Sequence, residues 1–356
     1  MLKRTCFATL ISLIALLAIV FSLASCTKKG DYPEIKSSKE EATVVATLGG
    51  HEVRYELFRA FFSTMYSGKT DGMTEEGWNA AVSDVMREIA YLYAALDVAE
   101  ENGVDPEGDK IDDAVAELVR VQYEGGVTDD GLIVEGFETR EKYKEALAAA
   151  NLTDAVNRFI FRCDATKREL YEYLVENYSY GKNPGDLGDP RAFFDSDDCA
   201  HGIWVFVSND YRGSRADGRA FAEGLREEIA AAGDADTVKK ILRKTELSVS
   251  EIEHGIYVSK NRGDIPLDRA LVADLFSLAP YTCGEIREDA DGVWFAVGLP
   301  KDEADYVAAS FFDLMLEETK IARPIAEKAA AYLAGVSYAA AFPTFSAETL
   351  GKLTVR

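Results

Sequence analysis

The spacing of apolar residues changes partway along the chain, so its two parts are expected to fold differently. Up to residue 182, apolar side chains recur every three or four positions, which predicts helices. Beyond residue 198 they form short continuous runs separated by helical stretches, which predicts an α+β fold. Glycine, proline and aspartate dominate residues 183–198 and predict a linker. We therefore expect a multidomain, mainly helical chain with a helical domain at 43–182 and an α+β domain at 199–300.

The helical domain is predicted to open with a strand at 43–48 and a Gly49-Gly50 turn. Helices are then expected from residue 55, at 82–102, at 109–124, at 137–150 and at 152–162. Thr166 and Glu169 match a capping box and predict the start of one more helix. The β-type runs of the α+β domain lie at 203–207, 256–258 and 293–297.

Helical spacing returns at Asp305 and continues to Gly335. Pro324 should kink or divide this helix, because proline in a helix interior lacks the N–H donor and clashes with the preceding turn. An apolar stripe of this length needs a packing partner, and the N-terminal helices offer one. We therefore expect residues 301–345 to pack on the helical domain, which makes that domain non-contiguous, and residues 346–356 to form a tail.

The first residues carry the features of an export signal. Two basic residues precede an apolar run at 7–23, and residues 23–26 resemble a bacterial lipobox. This predicts a lipoprotein signal peptide at 1–25, acylation of Cys26 and a polar tether at 26–42. The mature chain is then expected on the extracytoplasmic face of a bacterial membrane. The alternative is an uncleaved membrane anchor with an incidental cysteine.

Composition disfavours several classes of function. The 39 basic and 62 acidic residues give a net charge of −23, which disfavours nucleic-acid binding because phosphates would be repelled. The three histidines form no recognisable ligand motif, so we expect no metal and no cofactor. Cys163, Cys199 and Cys283 can form at most one disulfide. Cys199 with Cys283 is the pair to test, whereas the sequence favours three buried free thiols.

The order of these segments resembles the SurA/PrsA group of exported foldases, in which a helical chaperone module accompanies a parvulin-type peptidyl-prolyl isomerase domain. Residues 44–53 are similar to the family's first strand, turn and start of the first helix. Residues 86–106 are similar to its long second helix and the step after it, and residues 166–178 to its capped helix before the isomerase domain. The resemblance implies a SurA-N-like module completed by a C-terminal helix.

Three segments resemble the parvulin-type domain. Residues 199–203 are similar to its first strand, residues 275–285 to a lengthened F-x-L-x-x-G-E element, and residues 292–295 to its closing strand. The family uses two facing histidines near a Cys or Asp, and seats the proline ring on Met and Phe. Here His201 stands at the first histidine position and Trp294 at the second.

The resemblance therefore implies a degenerate parvulin-like domain whose isomerase activity is weak or lost. His201 is the candidate catalytic residue, and a satisfied core histidine is the alternative; His51 and His254 give no catalytic signal. The residues expected to bind peptide in this domain are Leu267, Leu271, Phe276 and Trp294. Aromatic residues of the first helix are further candidates, with helix core as the alternative: Phe58, Phe61, Phe62 and Tyr66.

These features predict a membrane-anchored chaperone that binds unfolded exported polypeptides. The alternatives are an active isomerase, an assembly factor with one dedicated partner, and a solute-binding lipoprotein, which the irregular order of strands and helices disfavours. The acidic surplus either keeps the chain soluble, which we favour, or attracts basic client segments.

Overall fold

The structure, a computed structural model, describes residues 33–66, 68–127, 133–181, 187–209, 215–263, 266–288 and 292–354. The chain forms two compact units: unit 1, from Met1–Tyr173 and Pro324–Arg356, and unit 2, Leu174–Arg323. The predicted signal peptide, Cys26, the first residues of the tether and part of the linker lie outside the described residues. Within those ranges, no helix combines the length and the apolar character needed to cross a bilayer.

The elements are numbered in chain order. The helices are α1 (Tyr55–Tyr66), α2 (Glu75–Glu101), α3 (Asp109–Glu124), α4 (Arg140–Ala149), α5 (Asp154–Asn177), α6 (Pro190–Asp195), α7 (Arg215–Ala230), α8 (Ala235–Leu242), α9 (Val249–His254), α10 (Pro266–Ser277), α11 (Ala308–Glu317), α12 (Arg323–Ala334) and α13 (Ala347–Thr354). The strands are β1 (Val44–Leu48), β2 (His51–Arg54), β3 (Gly125–Val127), β4 (Ile133–Glu135), β5 (Cys199–Ser208), β6 (Ile256–Ser259), β7 (Arg287–Glu288), β8 (Gly292–Gly298) and β9 (Ser337–Tyr338).

The core of unit 1 forms around α1 and α2. Phe58 and Phe62 are completely buried on α1 and contact Trp78 of α2, with ring centroids 6.3 and 5.4 Å apart. Thr74 caps α2 by accepting a hydrogen bond from the N–H of Gly77 at 3.1 Å. The helices predicted from apolar spacing in this unit are confirmed, because each one buries a continuous stripe.

The C-terminal residues complete this core. Strand β9 pairs with β1, so the small sheet has the order β2-β1-β9. Phe342 packs on Phe58 with ring centroids 5.1 Å apart. Residues 346–356, expected to be a tail, instead contain α13, which contacts α1 and buries Leu350 and Leu353 because its apolar side chains share one helix face.

Residues 33–42, expected to belong to the tether, are held on unit 1. Ser37 donates a hydrogen bond from its Oγ to buried Glu56 at 2.5 Å. Glu41 forms an ion pair with Arg59 at 3.3 Å, and both side chains are about nine-tenths buried. The chain is therefore fixed on α1 well before β1 begins.

Helix α5 is continuous, so the helix start expected at Thr166 is wrong. Thr166 is completely buried in the middle of α5, and its Oγ1 has no hydrogen-bond partner in the part of the chain that the structure describes. The pattern T-x-x-E marks a helix start only where the preceding residues are not helical. Here Ile160, Cys163 and Leu170 carry one buried stripe through the site.

The first part of residues 301–345 does not pack as expected. Helix α11 belongs to unit 2, where it contacts α6 and β6 and buries Phe311 and Phe312. A π-helical turn, Glu318–Ala322, follows it, and the chain enters unit 1 at Pro324. The missing N–H of Pro324 accounts for the interruption that the sequence predicts, and α12 ends before Gly335.

Unit 2 contains an antiparallel sheet of order β6-β5-β8-β7, and its three predicted strands are confirmed. One sheet face carries Ile203, Val205 and Val207 against α7, α8 and α9. The opposite face packs on α10. The predicted linker contains α6, whose Phe193 and Phe194 are buried.

Candidate functional site

His201 is a buried residue of β5 whose two ring nitrogens both face backbone carbonyls. Nδ1 lies 2.6 Å from the oxygen of Pro300, and Nε2 lies 2.9 Å from the oxygen of His254. Its ring stacks on Tyr257 with centroids 4.1 Å apart and planes 2° from parallel. A neutral imidazole has one N–H, so only the imidazolium donates to both oxygens at once. In this position His201 offers no free nitrogen to a substrate.

Trp294 does not face His201. Side chains alternate along β5, which places His201 on the face of Ile203 that packs on α7, α8 and α9. Trp294 pairs with Phe206, at a ring-centroid distance of 4.3 Å, and packs on the α10 face. The facing pair that the resemblance implies is therefore not formed, because the two side chains point to opposite sides of the sheet.

The tyrosine that stacks on His201 contacts further aromatic rings. Tyr257 contacts Phe194 and Phe311 at centroid distances of 5.8 and 5.0 Å, and burial raises the pKa of Tyr257 to about 12. The Arg191 guanidinium lies over the Phe194 ring at 5.1 Å. His201 is thus part of a packed core at this end of the sheet.

The other candidates in this unit come together. Leu267, Leu271, Phe276 and Trp294 all belong to one apolar cluster between α10 and the sheet, where Leu271 is 1% exposed and the other three are only partly buried. Trp204 and Phe206, also partly buried, adjoin this cluster. We use the name α10 patch for five partly buried side chains on this sheet face: Trp204, Phe206, Leu267, Phe276 and Trp294.

Two polar features lie at the α10 patch: a buried indole N–H and an ion pair between β7 and α10. The indole N–H of Trp204 is buried and has no hydrogen-bond partner among the residues described. Arg287 of β7 donates two hydrogen bonds to Asp274 of α10, at 3.1 and 2.7 Å. This bidentate pair holds the edge strand against the helix.

Two of the four aromatic candidates of α1 are core residues. Phe58 and Phe62 are 0% exposed, so the expectation that they bind peptide is wrong. Their spacing put them on the inner stripe of the helix, where α2 and the C-terminal segment cover them. Tyr66 donates a hydrogen bond to Asp84 at 2.7 Å, and Phe61 remains partly exposed.

A groove in unit 1 was not predicted. The Nε2 of His51 lies 3.0 Å from Oδ2 of Asp97, and the imidazole stacks on Tyr93 with centroids 4.5 Å apart. Tyr332 of α12 donates a hydrogen bond to the same Oδ2 atom, and burial together with Asp97 raises the pKa of Tyr332. These residues come from segments far apart in sequence, so only the Gly49-Gly50 turn before His51 gave a local signal.

Glycine is required at the start of this turn. Gly49 has φ 58°, and a Cβ there would lie 2.3 Å from the ring of Tyr332. The hydrogen bond from Tyr332 to Asp97 therefore requires glycine at position 49, because a Cβ there would overlap the tyrosine ring.

The three cysteines within the described residues are free thiols. Burial raises the pKa of Cys163 to about 12 and those of Cys199 and Cys283 to about 11. Val297 pairs with Ile203 of β5 and also with Cys283. Cys283 is therefore displaced along the sheet from Cys199 by the four residues that separate Cys199 from Ile203. That offset is about 13 Å, beyond disulfide reach, so the proposed pair does not form.

In the same described part of the chain, no three His, Cys, Asp or Glu side chains lie close enough together to hold a metal ion. Neither a protein-family model nor a curated protein matches the chain. Foldase protein PrsA from Streptococcus pneumoniae str. Canada MDR_19A is similar in structure over 79% of this chain and 88% of that one, at 14% identity and a TM-score of 0.26. PrsA from Bacillus subtilis is similar over 89% and 100%, at 9% identity and a TM-score of 0.24. These TM-scores are too low to transfer a fold or a role to this chain.

Proposed function

We propose that this chain is a lipid-anchored extracytoplasmic chaperone that holds unfolded exported polypeptides on the α10 patch. The observation that carries the proposal is the gathering of Leu267, Phe276 and Trp294 around the buried Leu271, since the sequence had marked all four for peptide binding. Partly exposed tryptophan and phenylalanine rings provide large apolar contact area at low conformational cost, which suits extended segments of varied sequence.

Prolyl isomerase activity is not part of the proposal. The reaction has a barrier of about 18–20 kcal/mol and needs a polar site that favours the twisted amide. Both nitrogens of His201 are engaged by carbonyl oxygens, and Trp294 lies on the other sheet face. The chain is therefore proposed to hold clients without isomerising them.

Suppression of client aggregation tests the α10 patch. Leu267→Ser and Trp294→Ala should each reduce the protection that near-stoichiometric protein gives to a chemically unfolded client, measured by light scattering. Val249→Ser is the matched control, because Val249 is a 70% exposed apolar residue of the same unit outside the patch. Equal protection by wild type and the two patch variants, or no protection by wild type at tenfold excess, would contradict the proposal.

The lipid anchor needs its own test. Cys26→Ser should abolish labelling by a radioactive or alkyne-bearing fatty acid and move the protein from the membrane fraction to the soluble fraction. Cys163→Ser is the control, since that thiol is buried in unit 1. Unchanged labelling of Cys26→Ser would contradict acylation at this cysteine.

A further inference from the structure

We propose that the groove beside His51 in unit 1 binds lysine and arginine side chains of extended polypeptides. The proposal rests on the chaperone function above and specifies which client segments the helical unit receives. It concerns a surface separate from the α10 patch, so the two can be tested independently.

The groove is large enough for a long side chain and has an apolar floor. It encloses a cavity of about 460 Å³ whose lining includes Tyr93, Leu96 and Phe159. Tyr93 and Leu96 are each 9% exposed and form the base of the cavity, and the partly exposed ring of Phe159 supplies most of its open apolar surface. The methylene stem of a lysine or arginine packs well on such a floor while its charged end stays near the rim.

The Asp97 carboxylate is held in one orientation by contacts to only one of its two oxygens. His51 and Tyr332 both contact Oδ2, which fixes the carboxylate. Oδ1 has no partner among the described residues. Glu100 lies one turn further along α2 on the same face, exposed and without an ion pair in the described ranges. Together they present two carboxylates to one cationic group.

The basic residues near the groove are already paired. Arg158 contacts Asp154 at 3.0 Å, and Arg162 contacts Asp112 at 2.6 Å. Lys328 contacts Glu101 at 2.6 Å. Among the described residues, these three cations therefore contact other carboxylates and not those of Asp97 or Glu100, so charge complementarity favours a cation over an anionic segment.

The shape favours a polypeptide over a small free amine. A second cavity of about 510 Å³ continues from the first and is lined by Gly49, Gly50 and Lys328. His51, Asp97 and Glu100 line both cavities. An extended chain can thus run along the groove while one basic side chain enters it at the carboxylates.

Fluorescence anisotropy with two short labelled peptides tests the proposal. One peptide repeats Ser-Lys-Ala and the other repeats Ser-Gln-Ala, so they differ only in charge. We expect full-length protein to prefer the lysine peptide, with about three- to tenfold weaker binding for Asp97→Asn and for Glu100→Gln. Because the exposed carboxylate of Glu100 makes no hydrogen bond or ion pair with the described residues, Glu100→Gln stays informative if Asp97→Asn loses stability.

General attraction by an acidic protein is the main competing explanation. Glu76→Gln removes the same charge from an exposed position of α2, about 36 Å away along the helix, and should bind like wild type. An equal loss for Glu76→Gln, or equal binding of the two peptides, overturns the groove proposal and leaves aggregation suppression through the α10 patch intact. Binding of neither peptide, with no suppression of aggregation, overturns the chaperone function itself and this proposal with it.

Discussion

At the scale of single residues, the contacts of a side chain decide its role more than its type does. His201 stood where the parvulin resemblance implies a catalytic histidine, yet its nitrogens face the carbonyls of Pro300 and His254. No local pattern in the sequence encodes those two carbonyls. A role for the histidine could be predicted, but its contacts with the end of α9 and with Pro300 could not.

Replacing His201 by alanine tests this structural role. The change removes the ring nitrogens from the two carbonyls and the stacked ring from Tyr257, so we expect a loss of about 1–3 kcal/mol in the unfolding free energy of unit 2. Urea unfolding followed by tryptophan fluorescence measures it. A proline-limited refolding assay should show the same rate with wild type and variant; a slower rate with the variant would assign catalysis to His201.

The raised pKa of Tyr257 predicts that the folded protein loses stability at alkaline pH. Burial raises its pKa from 10.0 to about 12, so the folded state keeps the phenol proton where the unfolded state has lost it. The contribution of the neutral phenol is complete below pH 10.0 and is lost as the pH rises through about 12. Urea unfolding across this interval should show a smaller decline for Tyr257→Phe than for wild type. An identical decline in the two proteins would mean that folding does not raise the pKa of Tyr257.

At the scale of elements, apolar periodicity predicted most of the helices and strands, because each element has one buried face. It failed where burial did not follow a local period. Helix α6 was missed, since its two phenylalanines sit in a stretch rich in glycine and proline. The helix start at Thr166 was misplaced because a capping pattern can also occur inside a buried helix.

The turn before His51 gives a matched pair of substitutions. Gly49→Ala places a Cβ 2.3 Å from the Tyr332 ring at φ 58°, whereas Gly50→Ala at φ 95° meets no atom within 4 Å. Both changes strain the backbone, by about 1–2 kcal/mol. Only Gly49→Ala also displaces Tyr332, so the melting temperature of this variant should fall further than that of Gly50→Ala. An equal fall in melting temperature for the two variants would show that the contact with Tyr332 does not contribute to stability.

The candidate sites were predictable to different degrees. Leu267, Leu271 and Phe276 follow one another along α10, so a local pattern could group them. The groove beside His51 could not be found in this way, because α2 and α12 supply Asp97 and Tyr332 from positions 235 residues apart. Contacts of that range depend on the path of the whole chain.

At the scale of the whole molecule, the three tryptophans report on different units. Trp78 lies in unit 1, and Trp204 and Trp294 lie in unit 2. Fluorescence of variants that keep only one of these sets can therefore follow each unit separately. This allows a substitution to be assigned to the unit that it destabilises.

Phe342→Ala should destabilise unit 1 alone. Phe342 packs on Phe58 at 5.1 Å and on Tyr338 at 4.6 Å, so its truncation opens the aromatic core. Because Phe342 is partly exposed, we expect a loss of about 2 kcal/mol in the transition that Trp78 reports. The transition reported by Trp204 and Trp294 should not move, and a matching shift there would show that the units unfold together.

The closure of unit 1 by β9 and α13 also sets an order of folding. Unit 2 is continuous in sequence, whereas unit 1 needs residues from both sides of unit 2 before Phe342 covers Phe58. During synthesis from the N-terminus, the apolar faces of α1 and α2 therefore stay exposed until β9, Phe342 and α13 have been made. We therefore expect unit 1 to acquire its native contacts last, although its sequence is made first.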